Sequence, residues 1–61
     1  MNPFINLLTI DNETVKVNIN DLLHFRQIGN ETYLMFTGGE KLIVRDPAIS
    51  ISRQIDGLYK I

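Results

Sequence analysis

His24 is the single histidine among 61 residues, and it is the one side chain suited to proton transfer near neutral pH. A catalytic histidine needs an orienting partner and a pocket around it. The alternating pattern Leu23-His24-Phe25-Arg26 places His24 on an outer strand face, beside Arg26 and Tyr33, where a flat sheet offers little concavity. An exposed or interface histidine is therefore the expected role. Ser50 and Ser52 have no elbow motif around them, so no nucleophile is assigned. Gly38-Gly39 is followed by Glu40-Lys41 and lacks the Lys-Ser or Lys-Thr of a phosphate loop, which makes it a hairpin turn. Acidic residues occur singly, against the ligand spacing of a calcium loop. There is no cysteine, and one histidine alone does not make a metal site. These absences predict no catalytic residue, no metal, no cofactor and no enzymatic activity.

The totals narrow the partners. Formal net charge is −1, from six basic and seven acidic residues, without a run of lysine or arginine. Nucleic-acid binders usually carry a basic surplus, because phosphate neutralisation dominates their affinity, so nucleic acid is an unlikely partner on charge. Met1-Asn2-Pro3-Phe4 has no basic n-region, and Asn6 interrupts the early apolar run. Neither a signal peptide nor a membrane span is expected, and the expected compartment is the cytoplasm. Asn12-Glu13-Thr14 and Asn30-Glu31-Thr32 match the glycosylation sequon but read as turns.

Three turn signals divide the first 46 residues into alternating apolar pieces: Asn12-Glu13-Thr14, Gly29-Asn30-Glu31-Thr32 and Gly38-Gly39-Glu40. The pieces predict strands over 5–10, apolar on both faces, then 14–19, 22–28, 32–37 and 41–45. Val15, Val17 and Ile19 face one way, with Lys16 and Asn18 opposite, a half-buried period of two. Asp46 is a candidate helix N-cap and Pro47 suits the first helical position. Ile51, Ile55 and Leu58 then recur at helical spacing with Tyr59 alongside, while Ile49-Ser50-Ile51-Ser52 also alternates as a strand would. Residues 48–60 thus stand between a helix, the favoured reading, and a sixth strand. The expected fold is α+β, mostly β: one small domain over 1–61, an antiparallel five-stranded meander with one C-terminal helix packed on its apolar face. Its expected inner set is Val15, Val17, Ile19, Leu23, Phe25, Leu34, Phe36, Leu42, Val44, Ile51, Ile55 and Leu58.

That register leaves Tyr33, Met35 and Ile43 outside, with Ile28 nearby, around His24, Arg26 and Arg45. Monomers seldom leave such an apolar group bare, and Tyr, Met and Arg are enriched at interfaces. A 61-residue core is marginal on its own and has no disulfide to help it. The expected function is a non-enzymatic interaction protein: a homodimer that also binds and modulates or inhibits a larger protein. Its expected interface is His24, Arg26, Tyr33, Met35, Ile43 and Arg45. Chains of this size are common among regulators and phage-encoded inhibitors of host or defence machinery. An edge strand, the first or the fifth, offers a second route to another chain.

Two family resemblances sit beside this reading. Asp21-Leu22-Leu23-His24-Phe25, Gly29-Asn30-Glu31-Thr32-Tyr33, Gly38-Gly39-Glu40 and Leu42-Ile43-Val44-Arg45 together resemble the opening half of LytTR-type DNA-binding domains. The second half of that domain, which carries much of its DNA-contacting surface, has no counterpart here. The alternative that this resemblance implies is a trimmed nucleic-acid-binding regulator, using Arg26, Lys41, Arg45, Arg53 and Lys60. Over nearly the whole length the chain is also similar to small flagellar proteins of the FlbD/SwrD type, at Asn18, Asp21, Leu22, Thr37, Gly38, Val44, Ile51 and Ile55, with Asp11-Asn12-Glu13 replacing their Asn-Gly turn.

Overall fold

Asn12, Gly29 and Gly39 hold positive φ angles of 65°, 61° and 84°. Asparagine and glycine tolerate this left-handed region best, and each of the three residues reverses the chain between two strands. The computed structural model describes residues 3–58. Strand β1 (Phe4–Leu8) pairs antiparallel with β2 (Thr14–Asn18). Strands β3 (Leu22–Ile28), β4 (Glu31–Phe36) and β5 (Lys41–Val44) form a second antiparallel sheet in the order β3-β4-β5. Helix α1 (Ala48–Leu58) follows, so the segment after Pro47 is helical and not a sixth strand. Tyr59 and Lys60 lie outside the described residues.

The protein is α+β and mostly β as expected, but its strands form two sheets, not one five-stranded meander. The break has a local cause. The Asn18 side chain accepts a 2.9 Å hydrogen bond from the Asn20 N–H and caps a 3-10 turn over Ile19–Asp21. The chain therefore enters β3 through a corner and not a hairpin, and β2 and β3 do not pair. The smaller sheet reaches the larger one on its other side. Thr9 bridges Val44, and the Arg45 N–H donates to the Leu8 carbonyl at 2.8 Å.

The core consists of Ile5, Leu7, Val17, Leu34, Val44 and Ile51, with Val15, Ile19, Leu22, Phe25, Phe36, Leu42, Ile55 and Leu58 packed around it. Burying each large aliphatic side chain contributes about 1.5–3 kcal/mol. Two expectations about this core need correction. Strand β1 is covered on one face only, so Ile5 and Leu7 are buried while Phe4 and Leu8 are exposed. Leu23, placed inside by simple alternation with Phe25, is 61% exposed. The register shifts between Leu22 and His24: Leu22 opposes Phe36, yet His24 opposes Met35. This β-bulge inserts one residue, so Leu22 turns inward in place of Leu23.

The helix is fastened by side chains distant in sequence. Asp46 does not cap it; its Oδ1 accepts from the Leu8 N–H at 2.6 Å. The cap comes from β3, where Gln27 Oε1 accepts the Ala48 N–H at 2.8 Å. Gln54 then seals the outer edge of β1: Asn6 N–H donates to Gln54 Oε1 at 3.3 Å, and Gln54 Nε2 donates to the Asn6 carbonyl at 3.0 Å. Asn6 and Leu8 thus have the N–H and C=O groups on this side satisfied, which removes β1 as the expected docking edge. The other edge expected to dock, β5, meets β1 only at its Val44–Arg45 end, so β2, β3 and the rest of β5 keep an outer edge without a strand partner among the described residues. No helix among the described residues is long and apolar enough to cross a membrane.

Candidate interaction face

Cross-strand register assembles the outer face of the larger sheet. His24 lies opposite Met35, Arg26 opposite Tyr33, Tyr33 opposite Ile43, and Met35 opposite Lys41. Side chains two residues apart share a face, and directly opposed residues have Cβ atoms about 4.5–5.5 Å apart. Tyr33, Met35 and Ile43 therefore touch as a contiguous, half-buried apolar group. His24, Arg26 and Lys41 surround it, all three exposed. Together with Leu34, these six line a shallow depression of about 170 Å³.

Five of the six side chains expected at an interface are brought together: His24, Arg26, Tyr33, Met35 and Ile43. Arg45 is not. Its guanidinium donates to the Ile10 carbonyl at 2.9 Å and clamps the β1–β2 turn against the end of β5. Ile28 lies at the hairpin end opposite Glu31, 43% exposed and away from the depression. Lys41 was not among the expected interface residues, although its position two before Ile43 put it on the same face.

The charge on this face is uneven. Of the seven acidic residues in the chain, only Glu31 falls on the outer face of the sheet, at its hairpin corner. Asp11 and Glu13 lie in the first turn, Asp21 in the 3-10 turn, Glu40 in the β4–β5 hairpin and Asp56 on the helix, while Asp46 is held by Leu8. The Arg26 and Lys41 side chains form no ion pair or hydrogen bond among the described residues. The other cations are dispersed. Lys16 is on β2, Arg53 is on the helix and Lys60 is outside the described residues, so the five-cation surface implied by the LytTR resemblance does not converge.

The chemical repertoire of the face is limited. His24 makes no hydrogen bond to an orienting group among the described residues. No group of three His, Cys, Asp or Glu side chains among them is placed to hold a metal ion. A larger open groove of about 550 Å³ runs between the β2 edge and the β4–β5 hairpin. Lys41 borders this groove as well as the depression, and with Lys16, Asp21 and Glu40 it leaves the groove without net charge; the groove has no histidine. No family model, no curated protein and no solved structure matches the chain.

Proposed function

We propose that this chain is a non-enzymatic interaction protein that binds and modulates a larger protein through the outer face of the β3-β4-β5 sheet. One observation carries the reading: Tyr33, Met35 and Ile43 form a contiguous apolar group inside a ring of His24, Arg26 and Lys41. An apolar centre with a polar rim is the composition of a protein interface, and Tyr and Arg are frequent hot-spot residues. The test is capture of a partner from the native host, followed by calorimetric titration of the purified pair. Replacing Tyr33 with Ala or Met35 with Ser should weaken binding about tenfold or more while circular dichroism stays unchanged. Full-strength binding by both folded variants refutes the reading.

A second reading, association with a second copy, is favoured by β3. This seven-residue strand is paired on one side only and carries exposed Leu23 and Ile28. The outer face suits self-association less, because a face-to-face pair brings two clusters of Arg26 and Lys41 together. Light scattering over a dilution series into the micromolar range decides it. A constant monomer mass rules the homodimer out.

A further inference from the structure

Resting on the outer face as a protein-binding surface, we infer the chemistry of the segment that occupies it: an extended stretch with the pattern acidic-x-apolar-x-acidic. Arg26 and Lys41 are exposed and unpaired among the described residues, and one acidic residue of seven shares their face. A chain of net charge −1 therefore presents a locally positive surface, and complementary charge is what selects the partner of such a surface.

Geometry supplies the spacing. Arg26 and Lys41 sit on the two outer strands of the sheet, Arg26 opposite Tyr33 and Lys41 opposite Met35. They are two strands apart and offset by two residues, which is about 12 Å at about 4.8 Å between strands and about 3.4 Å per residue. In an extended segment, side chains at i, i+2 and i+4 face the same way, and the outer two are about 13 Å apart. Two carboxylates at i and i+4 therefore reach Arg26 and Lys41. The side chain at i+2 lands between them, over the depression of about 170 Å³ bordered by Tyr33, Met35 and Ile43.

The same face is poorly suited to the other occupants. Single-stranded nucleic acid is held by successive aromatic platforms along a basic track. Here Tyr33 is the one aromatic residue, its neighbours are Met35 and Ile43, and two unpaired cations would neutralise few phosphates. A second copy would bring like charges together.

The test uses the full chain, isotopically labelled, titrated by NMR with three probes: a Gly-Glu-Ser-Leu-Ser-Glu-Gly peptide, its counterpart with Lys in place of Glu, and oligothymidine. The acidic peptide should shift the amides of Arg26, Tyr33, Met35, Lys41 and Ile43, and the lysine peptide should not. The double variant Arg26→Glu/Lys41→Glu should bind the acidic peptide at least about tenfold more weakly and gain binding to the lysine peptide. Equal response to both peptides, shifts confined to another surface, or stronger binding of oligothymidine to the same amides overturns the inference. A host partner separates the two levels of the reading. If it is lost on Tyr33→Ala but kept by Arg26→Glu/Lys41→Glu, the acidic pattern is wrong and the interface stands. If every one of these variants keeps it, both fall.

Discussion

Thr32 offers a sharp test of how strand β4 holds the start of the helix. It has no exposed surface, and its hydroxyl donates to the Asp46 carbonyl at 2.6 Å. The Gln27 Oε1 lies farther away, at 3.4 Å, so the single hydroxyl proton goes to Asp46. Thr32→Val keeps the volume and removes this donor. An acceptor left unpaired in a buried setting costs about 1–3 kcal/mol. Asp46 is half-buried and water reaches it in part, so the lower end applies, about 1–2 kcal/mol. For a domain this small, each kcal/mol moves the melting temperature by about 4–8 °C, giving a fall of about 4–16 °C. Thr32→Ser keeps the donor and loses one methyl, about 0.8 kcal/mol, or about 3–6 °C. Thermal unfolding followed by circular dichroism orders the three proteins: native, then Ser, then Val. A valine variant that melts with the native protein, or above the serine variant, refutes the hydrogen-bond account.

Leu23→Lys should change stability by less than about 0.5 kcal/mol, since Leu23 is mostly exposed, whereas Leu7→Ala should cost about 2–5 kcal/mol. The second figure is a large share of the about 3–9 kcal/mol available to a chain of this length, and urea titration of the pair checks both. Gln54→Ala removes both side-chain bonds to Asn6, so hydrogen exchange at the Asn6 amide should accelerate by a larger factor than at core amides such as Leu34; unchanged Asn6 protection would show that the edge is not sealed this way. Gly39, at φ 84°, should lose about 1–2 kcal/mol on replacement by Ala. Gly57 lies in the helix with nothing within 4 Å of an added Cβ, so Gly57→Ala should gain about 0.5–1 kcal/mol. Melting temperatures that move in the same direction for the two glycines would contradict this.

What the sequence determined by itself was local. Turn residues with access to positive φ, alternating strands and the Ile51-Ile55-Leu58 stripe are written in neighbouring positions, so the five strands and the helix follow from them. The outer face followed as well, because Tyr33, Met35 and Ile43 come from strands whose alternation is unbroken. Tertiary structure decided the rest. A bulge at Leu23 reversed one assignment, because an inserted residue changes side-chain direction without leaving a mark in composition. Gln27, Asp46 and Gln54 found partners 21, 38 and 48 residues away, and their side chains look like ordinary surface polarity in the sequence. Arg45 shared the parity of Ile43, yet the fold brought the Ile10 carbonyl within its reach. Short-range conformational preference fixes the elements, while the joining of the sheets, the sealing of β1 and the final membership of the outer face depend on groups that meet only once the chain has closed.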